Sequence, residues 1–168
     1  RRELTPSLCA LTDRGVTFAK HSEAFPTETR VNSSSIATGT YPDRHGIVAN
    51  RFWDRSTATT INTGDHTDLE RLGASSGNVL PVPTMCGLLK RAGYRCLVVG
   101  SGSPGSTLLQ APSEPDRLIN VRGVIRPESD LEPFLERYGP FPGESFPPDP
   151  WNDLACKVFL DGVQSHDY

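Results

Sequence analysis

Residues 84–99 do most to limit what this chain can fold into. Thr84 is placed to cap a helix from Met85 to Ala92, and Gly93 supplies its stop. Leu88 and Leu89 are expected to point inward from that helix. Cys96-Leu97-Val98-Val99 is then a continuous apolar run rather than an alternating one, as in a strand covered on both faces of a parallel sheet. Helix, tight glycine turn and buried strand, in that order, predict α/β topology. The Ser101–Gly105 loop falls at the C-terminal end of the strand, where α/β sheets place ligands.

Other segments follow the same logic. Thr5 as N-cap, Pro6 at the first helical position and Gly15 as a left-handed end outline a short first helix. Leu8 and Leu11 mark its expected buried face, and Val16-Thr17-Phe18-Ala19 alternates like a half-buried strand. Residues 50–80 read as irregular and polar, an insertion or a flap facing the substrate. Residues 140–150 form a Pro-rich connector with exposed aromatics. Asp149 and Pro150 open a last helix with Trp151, Leu154, Ala155, Val158 and Gly162 on one face. No internal repeat is visible.

The chemistry concentrates near Thr29. An extended loop around Pro26 delivers this hydroxyl to the start of a helix over about Arg30–Thr38, which Gly39 ends. A helix N-terminus presents free N–H groups and a positive dipole end, a ready site for a phosphate-like anion. Asn32 lies one turn on, able to donate to the same group. Nucleophile, backbone donors and an amide within four residues are parts for phosphoryl or sulfuryl transfer. The plain alternative is that Thr29 and Asn32 serve only the helix start, where such residues are common.

The flanking residues bear on that choice. The run FPTETRVNSSSIATGTYPDRHGIVAN, residues 25–50, resembles the nucleotide pyrophosphatase/phosphodiesterase (type I phosphodiesterase) family of the alkaline phosphatase superfamily. Its pattern is F-P-T-x-T-x-x-N, then T-G, then Y-P-x-x-H-G-I. Weaker similarity covers Leu4–Leu8, Gly15–Phe18, Val82–Thr84, Ala92–Arg95 and Ser101–Ser106. The resemblance implies an alkaline-phosphatase-like fold: a mixed, mostly parallel sheet flanked by helices. Residues 1–168 would form part of a single catalytic domain. It implies that Thr29 is the metal-bound nucleophile, that Asn32 binds a non-bridging phosphoryl oxygen, and that two Zn2+ ions take part. It also makes His45 structural.

By the same resemblance the remaining metal ligands should lie before Arg1 and beyond Tyr168. The chain is then an internal piece of a longer enzyme and is expected to be inactive alone. The implied function is hydrolysis of phosphodiesters or nucleotide pyrophosphates through a phospho-threonine intermediate, on a small-molecule phosphate ester or nucleotide. Rival readings are a phosphomonoester, phosphonate or sulfate ester hydrolase of the same superfamily, and a catalytically silent binding module. A sulfatase would carry C/S-x-P-x-R at the nucleophile, and the residues around Thr29 do not form it.

Composition removes other classes. The net charge of −3 and pI near 5.8 give no electrostatic footprint for a nucleic-acid polymer. No stretch of 18 apolar residues offers a membrane span. No signal peptide is read at Arg1-Arg2-Glu3, and the resemblance leaves an extracellular or periplasmic location open. The 15 glycines and 15 prolines among 168 residues stay below the roughly 25–30% of a low-complexity chain. Cys9, Cys86, Cys96 and Cys156 lack metal-site spacing, and the first three are expected as buried free thiols. Asp65-His66-x-Asp68 could chelate a metal but reads better as a solvated turn, and His166-Asp167 matches a ligand pair only in composition. No phosphate-binding G-x-x-x-x-G-K-[ST] loop occurs. Arg30 either neutralises a substrate charge or faces solvent.

Overall fold

In a computed structural model of the chain, residues 3–113 and 115–165 are described. Helix α1 (Pro6–Arg14) forms where expected, with Pro6 in its first turn, but buries none of its residues. Leu8 and Leu11 are more than half exposed, and Gly15 is extended at φ −102° rather than left-handed. The strand expected at 16–19 is absent, and Val16 and Phe18 are exposed. A helix satisfies its own backbone, whereas a strand needs a neighbour, and nothing among the described residues pairs with this one.

Helix α2 (Thr29–Thr38) matches its expected span and ends on Gly39 at φ +65°, the left-handed turn that glycine permits. The short α3 (Pro42–His45) ends on Gly46 at φ +78°. These two turns fold the chain back along α2. Residues 50–80 are regular, contrary to expectation. Strands β1 (Arg51–Asp54) and β2 (Thr59–Asn62) form an antiparallel hairpin. Helix α4 (His66–Ser76) follows, with Asp65 as N-cap accepting from the Thr67 N–H at 2.9 Å. Polarity hid their inward residues: Ile61, Leu69, Leu72 and Leu80 pack with Val31 and Ile47 in the same core.

Helix α5 (Met85–Arg91) is capped by Thr84 as the sequence predicts. It turns Cys86 inward, while Leu88 and Leu89 are substantially exposed. Strand β3 (Leu97–Gly100) pairs in parallel with β4 (Arg117–Asn120), whose other neighbour, β5 (Val124–Arg126), is antiparallel. Helix α6 (Pro104–Leu108) links β3 to β4, and α7 (Leu131–Tyr138) and α8 (Asp149–Gln164) complete the chain. The architecture is mixed α/β. Among the described residues one of the three strand pairings is parallel, fewer than expected.

The burial on both faces expected of β3 belongs to β4. β3 is at the sheet edge and stays half-buried, whereas central β4 sends Leu118 to one core and Ile119 to the other. On the Ile119 side lie Phe134 of α7 and Trp151 and Val158 of α8, with Leu154 and Ala155 at its edge. Gly162 lets α8 approach the sheet: a Cβ there would stand 2.4 Å from Leu97 Cδ2. The connector splits its aromatics, Phe141 stacking on Phe134 while Phe146 is exposed. No described helix is long and apolar enough to cross a membrane.

Candidate active site

Thr29 is the first residue of α2, and its side chain is exposed. The residue before it, Glu28, has extended backbone at φ −117° and ψ 149°, so the chain enters the helix at a sharp corner. Thr29 Oγ1 makes no hydrogen bond among the described residues. The Thr29 N–H likewise lacks an acceptor there and is an open donor of the first turn, whereas Val31 is fully buried.

Two asparagines hold this corner. Asn32 spends its amide on the loop before the helix. Its Oδ1 accepts from the Ala24 N–H at 2.8 Å, and its Nδ2 faces the carbonyls of Glu28 at 3.1 Å, Ala24 at 3.3 Å and Pro26 at 3.5 Å. To contact a phosphoryl oxygen it would have to exchange one of these.

Asn50 brackets Thr29 from both sides. Its backbone N–H donates to the Glu28 carboxylate, and its Oδ1 accepts the Arg30 N–H at 3.1 Å. That second bond fixes which amide atom is oxygen, and it leaves Nδ2 without a partner among the described residues. The Asn50 carbonyl in turn accepts from Thr63 N at 3.0 Å and Thr63 Oγ1 at 2.9 Å, tying the corner to the hairpin. Sequence spacing did not single out Asn50. The two left-handed glycine turns bring it back to Thr29, and the pattern of side chains alone does not show that return.

His45 is structural, as the resemblance implied. It is fully buried, and its Nδ1 accepts from the Ile47 N–H at 3.2 Å. Nε2 therefore carries the proton of the neutral ring, 3.0 Å from Ser35 Oγ. Burial pushes its pKa below the ordinary value, with the Asp43 charge opposing.

Arg30 extends over the turn at Gly64, where a Cβ would stand 2.4 Å from Nη2. Its Nε is buried with no hydrogen-bond partner among the described residues. The Gly64 carbonyl accepts from the Gly105 N–H at 2.9 Å, and a Cβ on Gly105 would meet the Thr63 oxygen at 2.2 Å. The Ser101–Gly105 loop thus reaches the same surface as Arg30, at the C-terminal end of β3.

Asp65 and Asp68, among the other metal candidates, are committed to local bonds. Asp65 caps α4, and hydrogen bonds from the Thr67 N–H and hydroxyl hold its carboxyl below the usual range. Asp68 accepts from the Asn62 N–H at 2.8 Å and pairs with Arg71 at 2.8 Å. His166 and Asp167 lie outside the described residues. Among the described residues no three His, Cys, Asp or Glu side chains come together to hold a metal. The cysteines are free: Cys86 and Cys96 are buried, Cys9 is half-buried against expectation, and Cys156 is exposed. Burial and the neighbouring Cys96 thiol push the Cys86 thiol up to about 12.

The model of one family, "Type I phosphodiesterase / nucleotide pyrophosphatase", matches residues 1–149. The chain belongs to this family. Three relatives match shorter segments. The Saccharomyces cerevisiae ectonucleotide pyrophosphatase/phosphodiesterase 2 is 46% identical over 48 residues, 28% of this chain and 10% of the relative. The Crotalus adamanteus venom phosphodiesterase 2 is 46% identical over 52 residues, 30% of this chain and 6% of the relative. A Xenopus laevis bis(5′-adenosyl)-triphosphatase is 37% identical over 60 residues, 36% of this chain and 13% of the relative. The matched segments are thus a small part of each relative's length. No solved structure matches the chain. The corner at Thr29 lies within the residues that the family model matches.

Proposed function

We propose that Thr29 is the nucleophile of a hydrolase acting on phosphodiesters or nucleotide pyrophosphates. The observation that carries this reading is the corner itself: an exposed hydroxyl on the first turn of α2, with its own N–H open, clamped on both sides by Asn50. Thr29 Oγ attacks phosphorus, the bond to the leaving oxygen breaks with its electron pair, and the hydroxyl proton passes to solvent. A phospho-threonine ester results. Water then attacks phosphorus and returns Thr29 Oγ.

The helix dipole and the Thr29 N–H favour the charge that builds on a non-bridging oxygen. Asn50, whose Nδ2 is uncommitted, is the amide free to add a donor. Asn32 keeps the 24–28 loop in position and reaches the phosphoryl group only by giving up a loop bond. Relatives named as ectonucleotide pyrophosphatase/phosphodiesterase and venom phosphodiesterase support the substrate class, a small nucleotide or phosphate ester.

Two zinc ions, proposed from the family resemblance alone, would lower the pKa of the hydroxyl and clamp phosphoryl oxygens. Thr29 is the one described residue assigned to them. The described residues do not make a cage for the ions. Their remaining ligands would come from elsewhere in the protein. An extracellular or periplasmic setting also rests on the resemblance.

Thr29→Ala in the intact, metal-supplied enzyme should abolish turnover and leave metal content unchanged, and substantial surviving activity would refute the nucleophile. Asn50→Ala should slow turnover about 10²–10³-fold, the loss of one oxyanion donor. If Asn32→Ala alone gives that loss, with its fold intact, the donor is Asn32.

A further inference from the structure

Arg30 stands out because nothing among the described residues answers its charge. The guanidinium is half-buried, and its Nε is sealed from solvent without an acceptor. Leaving a buried polar atom unpaired is costly, and more so for a charged group. No carboxylate lies within ion-pairing distance among the described residues. Glu28, two positions back, gives a carboxylate oxygen to the Asn50 N–H. Asp65 and Asp68 serve Thr67, Asn62 and Arg71.

The position is built nonetheless. The backbone N–H of Arg30 is fixed by Asn50 at 3.1 Å. The guanidinium lies over Gly64, where any side chain would collide with it. The Gly105 N–H holds that turn at 2.9 Å, so hairpin, β3 loop and α2 together make a platform for one cation. The platform begins one residue from Thr29.

We propose that Arg30 is a specificity-determining residue that binds a second anionic group attached to the reacting phosphoryl group, so that the site prefers pyrophosphates over simple phosphodiesters. The proposal rests on the functional reading of Thr29 and narrows its substrate class. A planar guanidinium with unfilled donors matches a phosphate bidentately, which a neutral ester substituent cannot exploit. A purely structural arginine would show the opposite signature: its removal would weaken the fold and leave substrate preference alone.

The test separates binding from turnover. Inorganic pyrophosphate and dimethyl phosphate, a simple phosphodiester, are titrated calorimetrically into the chain and into Arg30→Met, with thermal melting of both. Pyrophosphate is expected to bind the parent chain about tenfold tighter than dimethyl phosphate, in line with a charge-assisted pair. Arg30→Met should erase that preference with Tm unchanged or raised, since the orphaned Nε is gone. Arg30→Lys, which keeps the charge, should retain part of the preference and covers the case of a Met variant that does not fold. Equal affinities in the parent, no binding of either anion, or a preference that survives Arg30→Met would overturn the proposal. Because no turnover is read, failure here is distinct from failure of Thr29 as nucleophile, which the activity of Thr29→Ala decides.

Discussion

The arm at residues 3–23 and the corner at residues 24–50 carry comparable apolar signals and end in opposite states. Leu8, Leu11, Val16 and Phe18 lie exposed along the arm. In the corner Val31, His45 and Ile47 are sealed, and Asn32, Asn50 and Glu28 stitch the backbone together. The difference is one of partners. Helix α1 forms on local signals because each helical N–H finds a carbonyl in its own segment. The alternating run after it needs a second strand and has none among the described residues. Periodicity says which side of a segment can be buried, and only another element buries it.

The contrast can be broken from either end. Leu69→Ala, in the core beneath the corner, should cost about 2–5 kcal/mol of stability in urea unfolding. Leu8→Ala on the arm should stay within about 0.5 kcal/mol, as for an exposed site. A Leu8→Ala loss as large as that of Leu69→Ala would mean the arm is packed after all. Asn32→Ala strips the loop bonds of the corner and should cost about 1–3 kcal/mol, with exchange of the Ala24 amide proton accelerated more than that of β4 amides. Protection of Ala24 that survives the substitution would show that Asn32 does not hold the loop.

Acid should act on the corner through His45. Its folded pKa is depressed by burial, so the unfolded chain binds the proton more readily. Stability contributed by the neutral ring is full above about pH 6.5 and is lost as pH falls from there through the folded pKa. His45→Gln should flatten that part of the stability profile, and an unchanged slope would remove His45 as its source. The smallest effect is expected at Ser34, whose buried hydroxyl has no partner among the described residues. Ser34→Ala should raise stability by about 1 kcal/mol, and a lower Tm would show that the hydroxyl is satisfied.

Local signals in the sequence made much of this molecule legible. Thr84 as cap, Gly39 as left-handed stop, the α8 face of Trp151 and Val158, and the free thiols at Cys86 and Cys96 each rest on chemistry within a few residues. What escaped is non-local. The hairpin and α4 read as loop because alternate exposed residues diluted Ile61 and Leu69. Edge and central strands were exchanged because an apolar run does not state its place in a sheet. At the site, Thr29 was visible as a hydroxyl entering a helix. Asn50 was not, since its role depends on a chain reversal through Gly39 and Gly46.

Trapping the covalent intermediate tests the central claim most directly. The metal-supplied enzyme would be quenched in acid during turnover of a nucleotide pyrophosphate and its peptides weighed by mass spectrometry. The proposed chemistry predicts an adduct on the peptide that contains Thr29, the phosphoryl group together with the ester substituent that did not leave, absent from Thr29→Ala. An adduct on another residue, or on the Thr29→Ala protein, would contradict it.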